Sequence, residues 1–230
     1  MLNDIELIQT SDKIYSGFND FMLGPDLKVF GKLLARTLLF NKVKDIPGDI
    51  IECGVFKGTG LFTFLKLKRY FCPNSHKKVI GFDFFDSKAL VDGLSGDDKK
   101  YMGSLFNDRR WSNDDSYYNY LGELILSSGF FAHEFSLVKG DLAQTASKYV
   151  DDNIGFKISL LFIDVDIAKP TRCALEAFWD RMSRGGIIVF DEYAYHKWSE
   201  SNGVDIFFKD KGVTVKSLNY IGPSAYVIKE

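Results

Sequence analysis

The chain is poor in cysteine and proline, carries no excess of positive charge, and has no long apolar run. Each shortage closes off a class of protein. Three cysteines in 230 residues (Cys53, Cys72 and Cys173) are an odd number without paired spacing. Neither a disulfide framework nor a zinc site is expected from them, and a reducing, cytoplasmic setting is. The formal net charge is -2, with no long basic tract, which argues against nucleic acid as a partner. No apolar run approaches the length that spans a bilayer. The opening residues Met1-Leu2-Asn3-Asp4-Ile5-Glu6 lack the basic-then-apolar order of a signal peptide, so no membrane partner is expected.

What is present is hydrophobic and aromatic: 46% and 15% of the residues. That is ample for one core and long for two, so residues 1–230 read as a single domain. Strands and helices alternate. Residues 26–44 form a helical pattern with Val29, Phe30, Leu33, Leu34, Thr37 and Leu38 on one face, and Pro47-Gly48 ends it. Residues 1–48 therefore read as an N-terminal helical extension. Apolar strands follow at Asp49–Cys53, Val79–Asp83, Phe135–Lys139, Ile158–Asp164 and Gly186–Asp191. Their near-continuous apolar runs suit strands covered on both faces. Pro170 sits early in the helix after the fourth strand, and Gly185-Gly186 closes it. Two further β-rich runs, Val213–Asn219 and Ala225–Lys229, read as a hairpin at the sheet edge. The expected fold is α/β: a doubly wound, mostly parallel, seven-stranded sheet with a C-terminal antiparallel hairpin.

Residues 88–134 interrupt this rhythm. The segment is first charged (Asp92, Asp97, Asp98, Lys99, Lys100, Asp108, Arg109, Arg110) and then tyrosine-rich and helical around Tyr117–Ile125. Ser112 and Asp115 have capping-box spacing. An insertion above the strand ends serves as a lid or substrate wall, or else is a surface loop followed by an ordinary helix.

The strongest motif is Glu52-Cys-Gly-Val-Phe-Lys-Gly-Thr-Gly60. A strand ends in an acid and a glycine turn feeds a helix, so small residues stand where backbone approaches a ligand. A carboxylate at that mouth suits a cationic group better than a pyrophosphate. The other strand ends are acidic too. Asp83 is placed to accept from ribose hydroxyls, and Asp141 from an adenine amine. Taken singly, each reads equally as a helix cap. Together they favour a nucleoside with a cationic tail, S-adenosylmethionine, over NAD, whose glycine spacing differs. The expected donor contacts are Glu52, Gly54, Phe56, Gly58, Thr59, Gly60, Asp83, Phe84, Asp141 and Asp164.

Asp164, Asp191 and Glu192 make a second constellation. Three converging carboxylates repel, and a magnesium ion would relieve the repulsion and activate a substrate hydroxyl. The plainer reading is a cap, or pairing with Lys169 or Arg172. Asp166, two residues beyond Asp164, is the candidate general base. His196, in the aromatic stretch Tyr193–Trp198, is the second. His76 and His133 carry no functional reading.

The motifs Pro47-Gly-Asp-Ile-Ile-Glu-Cys-Gly-Val-Phe-Lys-Gly58, Ile80-Gly-Phe-Asp-Phe-Phe-Asp-Ser87, Leu161-Phe-Ile-Asp-Val-Asp166 and Gly185-Gly-Ile-Ile-Val-Phe-Asp-Glu-Tyr193 occur in order. They resemble those of the macrocin O-methyltransferase family (TylF/MycF/NovP-like). The resemblance runs from about residue 27 to 195. It implies a class I methyltransferase fold, S-adenosylmethionine and magnesium as cofactors, and methylation of a hydroxyl on a glycoside or nucleotide sugar. It also implies Asp164, Asp191 and Glu192 as metal ligands and Asp166 as base. Two positions depart from the family pattern: Val165 replaces a glycine, and Glu192 replaces an aspartate. A homo-oligomer is also implied, and residues 1–25 are available to build it. A metal-independent methyltransferase and a catalytically silent methyltransferase-like assembly domain are the alternatives.

Overall fold

A computed structural model describes residues 4–108, 111–218 and 222–230. Arg109, Arg110 and the hairpin residues 219–221 lie outside the described part. In chain order the elements are α1 (Asp4–Leu23), α2 (Leu27–Val43), β1 (Asp49–Cys53), α3 (Thr59–Phe71), β2 (Val79–Asp83), α4 (Ser87–Asp92), α5 (Gly96–Phe106) and α6 (Tyr117–Ser127). Then come β3 (Phe135–Lys139), α7 (Leu142–Asp152), β4 (Ile158–Ile163), α8 (Ala168–Phe178), β5 (Met182–Phe190), α9 (Glu200–Phe208), β6 (Lys216–Ser217) and β7 (Ala225–Ile228).

The seven strands lie in the order β3-β2-β1-β4-β5-β7-β6. β1 to β5 are parallel, and β7 is antiparallel to both β5 and β6. The order reverses between β1 and β4, the switch point where open α/β sheets bind their ligands. Alternate residues of each strand feed two cores. Ile51, Ile80, Leu161 and Ile188 pack under α7, α8 and α9. Ile50, Val79, Leu160 and Val189 pack under α2, α3 and α6. Every residue of β4 is buried, which is why its sequence shows no polar alternation. No helix among the described residues is long and apolar enough to cross a membrane.

The architecture agrees with the expectation, and several local readings are corrected. Gly185 and Gly186 lie inside β5, which starts earlier, at Met182; the preceding helix has already ended at Phe178. Ser112 and Asp115 do not form a capping box, because α6 begins only at Tyr117, with Ser116 at its cap. The charged first half of the insertion folds into α4 and α5, capped by Asp86, which accepts the N–H groups of Lys88 and Ala89 at 3.0 Å, and preceded by Ser95.

α2 departs most from its sequence reading. Its buried residues are Ala35, Arg36, Leu39, Phe40 and Val43. The face carrying Val29, Phe30, Leu33, Leu34 and Leu38 is exposed. Periodicity finds an apolar stripe but does not say what covers it.

Candidate active site

A cavity of about 520 Å³ opens at the C-terminal ends of β1, β2 and β4, a volume usual for small-molecule sites. Its floor is the glycine turn. Gly54, with φ +91°, lies so close to the next strand that a Cβ would meet the Asp164 carbonyl oxygen at 1.8 Å. A Cβ on Gly60 would meet the Glu52 carboxylate at 1.8 Å. These two glycines are thus required first by the chain's own packing, not only by the approach of a ligand.

Asp83 holds the turn in place. One carboxylate oxygen accepts the N–H groups of Val55 (2.8 Å) and Phe56 (2.9 Å), and the other accepts that of Phe85 (2.7 Å). Burial pushes its pKa up, and these backbone donors oppose the rise. Phe56, itself at φ 53°, stacks on Trp111 with ring centroids 5.7 Å apart. Its carbonyl accepts from Asn113 at 2.9 Å, and Lys57 reaches Ser112 and Asn113. The insertion is therefore bonded to the turn rather than draped over it. Leu90 of α4, Leu94 of the connection, and Met102, Leu105 and Phe106 of α5 form an apolar wall of the cavity.

Glu52 lines the floor of the cavity at the loop mouth, beside Arg36 and Gly60. It is 1% exposed and accepts from Arg36 Nη2 at 3.2 Å. Burial, outweighing Arg36, raises its pKa to about 7. One of its oxygens has no partner. Thr59, Gly60 and Phe84 line the cavity, and Gly58 lies just behind, against Leu121. Asp141 caps α7 through the Ala143 N–H (2.9 Å), as its plainer reading has it, and it also lines the cavity wall.

The β4–β5 side is crowded with acid. Asp164, Asp166 and Glu192 line the cavity; Asp191 lines a neighbouring one of about 400 Å³. Asp166 stands in the left-handed region (φ 64°), strain of the kind that clusters at functional sites. Its pKa is pushed well up by burial and by the charges of Asp164, Glu192 and Asp191.

Three residues of α2 answer this charge. Lys32 Nζ lies 2.6 Å from Asp191 and 3.6 Å from Asp164. Arg36 lies 3.7 Å from Asp164, and Lys28 lies 3.7 Å from Glu192. Burial alone would lower the Lys32 pKa, yet Asp164 and Asp191 carry it above its ordinary value. Neither Lys169 nor Arg172 pairs with Asp191 or Glu192; Arg172 pairs with Glu176. Lys28, Lys32 and Arg36 stand four residues apart on the inner face of α2. That spacing was the readable signal, hidden beside a stronger apolar stripe.

The expected magnesium site is not formed. Among the described residues no three acidic, histidine or cysteine side chains are arranged to hold a metal ion. The donor chemistry is right, but the Lys32 ammonium occupies the space between Asp191 and Asp164 that the ion requires. His196 is exposed and is not part of the cavity wall.

Glu200 was missed. It is fully buried; its carboxylate accepts the Glu192 N–H at 3.0 Å, and its own N–H donates to the Asp166 carbonyl at 3.2 Å. It ties together the loops after β4 and β5. In sequence it is only an acid in the first turn of a helix, where acids are ordinary.

Residues 51–193 match the sequence profile of a family described as a methyltransferase domain. The chain belongs to that family. No curated protein matches it. Among solved structures, CalS11, a calicheamicin methyltransferase, superposes with a TM-score of 0.71 at 26% identity, over 85% of this chain and 77% of its own. A second structure of CalS11, described as a TDP-rhamnose 3'-O-methyltransferase, gives 0.68 over the same shares. The O-methyltransferase NovP gives 0.69 at 16% identity, over 86% and 79%, a likeness of fold alone. The chain is thus a class I, S-adenosylmethionine-dependent methyltransferase domain, with its crevice at the usual switch point.

Proposed function

We propose that this methyltransferase acts on a hydroxyl of a sugar or sugar-bearing small molecule, a glycoside or nucleotide sugar, as in the macrocin O-methyltransferase family. The observation that carries this reading is Asp166: a strained, charge-crowded carboxylate on the wall of the donor cavity. Burial and the charges of Asp164, Glu192 and Asp191 raise its pKa, so its ionised form binds a proton more strongly than an ordinary aspartate does. The likeness to CalS11, an O-methyltransferase of a sugar nucleotide, supports the acceptor class.

In this reading the glycine turn, Phe56, Thr59, Phe84 and Asp141 bind the donor, with Asp83 holding the turn that receives it. Glu52 and Arg36 lie under its amino acid end. Asp166 takes the proton of the acceptor hydroxyl as the oxygen attacks the methyl carbon. S-adenosylmethionine held there would supply the methyl group, its carbon–sulfur bond breaking with the electron pair kept by the sulfur of S-adenosylhomocysteine. Lys32 holds Asp191 and Asp164 in place, which keeps two further negative charges from repelling the developing alkoxide. The apolar wall of α4 and α5 excludes water from the reacting atoms.

The test is transfer of a labelled methyl group from S-adenosylmethionine to a panel of nucleotide hexoses and glycosides, with and without chelator. Product is expected with the hydroxyl acceptors, and chelator is expected to leave the rate intact. A rate abolished by chelator and restored by magnesium would return Asp164, Asp191 and Glu192 to the role of metal ligands. If calorimetry finds no binding of S-adenosylhomocysteine, the silent assembly-domain reading replaces this one.

A further inference from the structure

The start of α9 joins three parts of the crevice. Ser199, just before the helix, accepts the Ala168 N–H at 2.9 Å and donates its hydroxyl hydrogen to Asp98 of α5 at 2.8 Å. It thereby fixes the first turn of α8 to the insertion. The Glu200 N–H reaches the Asp166 carbonyl at 3.2 Å, and the Glu200 carboxylate accepts the Glu192 N–H at 3.0 Å. One residue thus grips the backbone on both sides of the acid-rich half of the cavity. One side is the strained turn that carries Asp166 (φ 64°), and the other is the turn that leaves β5.

The Glu200 side chain is a poor choice for packing alone. It is 0% exposed, and its second oxygen has no hydrogen-bond partner. Burial and the charges of Asp164 and Asp166 oppose its ionisation. Ionised, it is a repelled charge; protonated, it buries a hydroxyl without an acceptor. Both forms cost free energy. A methionine would fill the same space without either cost, and apolar replacement of buried ionic groups at similar volume is often neutral or stabilising. A residue that departs from packing logic beside a site, with no evident gain in stability, marks a functional position. Glu200 is not part of the cavity wall. It therefore touches neither donor nor acceptor, and reaches the reacting atoms only through Asp166 and Glu192.

We propose that Glu200 is a positioning residue. Its side chain holds the Glu192 N–H and its backbone holds the Asp166 carbonyl, so it sets the spacing of the two turns and aims the Asp166 carboxylate at the acceptor hydroxyl. Asp166 stands in a backbone region that residues other than glycine rarely adopt, and such strain persists only where the surroundings hold it. The inference rests on Asp166 being the base.

The test compares two variants. Glu200→Gln keeps an oxygen to accept the Glu192 N–H; Glu200→Met keeps the length and loses the acceptor. The assay is methyl transfer to the nucleotide hexose that turns over fastest in the panel above, with circular dichroism to check folding. Glu200→Gln is expected to keep the parent kcat. Glu200→Met is expected to lose about 10- to 100-fold in kcat, the cost of a reacting group displaced by roughly 1 Å. KM for the acceptor and Kd for S-adenosylhomocysteine should stay at their parent values. Added to Asp166→Asn, Glu200→Met should slow the enzyme little further, because residues that act as a unit are not additive. Glu200→Leu serves the same comparison if the methionine variant melts below the assay temperature. Parental kcat in Glu200→Met overturns the inference. So does a Glu200→Gln rate as low as that of Glu200→Met, or a full multiplicative loss in the double variant. A parental rate in Asp166→Asn overturns the base reading and this inference with it. A slow Asp166→Asn beside a fast Glu200→Met overturns this inference alone.

Discussion

The two halves of the crevice are built on opposite terms. On the β1–β2 side the polar groups, Glu52 apart, are answered by the chain itself: Asp83 accepts three backbone N–H groups, and Asp86 and Asp141 cap helices. On the β4–β5 side the acids outnumber their partners. Asp191 and Glu200 each keep a buried oxygen without a hydrogen bond, Asp166 sits on strained backbone, and burial with mutual repulsion raises the pKa of Asp164, Asp166, Glu192 and Glu200. Satisfied groups hold a shape; unsatisfied ones hold free energy that a cationic donor and a deprotonating hydroxyl can release. The first half is a binding scaffold and the second is where chemistry is done. Each experiment below is a way to break that division.

The largest effect is expected from Asp166→Asn. Loss of a positioned base costs about 10²–10⁴-fold in rate, while affinity for S-adenosylhomocysteine should stay within about threefold, because the donor half is untouched. His196→Ala, on an exposed residue outside the cavity wall, should leave turnover unchanged. Equal rates for Asp166→Asn and the parent would remove the base from this site. Next in size is Lys32→Ala. Removing one partner costs about 3–5 kcal/mol where the pair is fully buried and less here, because Lys32 is part-buried; it leaves Asp191 and Asp164 facing each other. A fall in Tm is expected in denaturation monitored by circular dichroism. If millimolar magnesium then restores Tm in the variant but not in the parent, the acids accept a divalent cation only once the ammonium is gone. No loss of Tm would mean that the pair adds nothing to stability.

The fold was legible because its signals are local. Five apolar runs end in an acid or reach one within two residues, and the glycine turn at Gly54–Gly60 follows the first of them, so the strands and the edge that carries the site could both be read. The site's counter-charges were not legible in the same way. Lys28, Lys32 and Arg36 come from a helix that precedes the sheet by several residues, and only the packed fold brings them over Asp164 and Asp191. Glu200 is equally remote: thirty-six residues separate it from Asp164, with a helix and a strand between. Glu52 shows the converse limit. Its position at the strand end was correct, but the direction of its carboxylate depends on Arg36 and on the absence of a side chain at Gly60. α4 and α5 escaped notice because their charged residues mask an apolar face that only a cavity beneath them reveals.

Glu52 gives the smallest effect and the finest test of the division, since it lies at the boundary between the halves. Its carboxyl titrates at about 7 in the folded chain against an ordinary 4.5. Burial is the main cause; Asp164 adds to it, while Arg36 and Lys32 oppose it. The folded state therefore holds a proton that the unfolded state has already released. The stability this provides is complete below about pH 4.5 and is lost as pH rises through about 7. The change is at most about 3 kcal/mol, which for a chain of this size moves Tm by several degrees. Glu52→Gln keeps the volume and removes the titration. The variant should gain in Tm relative to the parent between pH 5 and pH 8, with thermal melts at matched ionic strength as the measurement. S-adenosylmethionine should shrink that difference, because its positive charge favours ionised Glu52 in the parent. A difference that stays flat with pH would mean Glu52 is ionised throughout, held by Arg36, and belongs with the satisfied half.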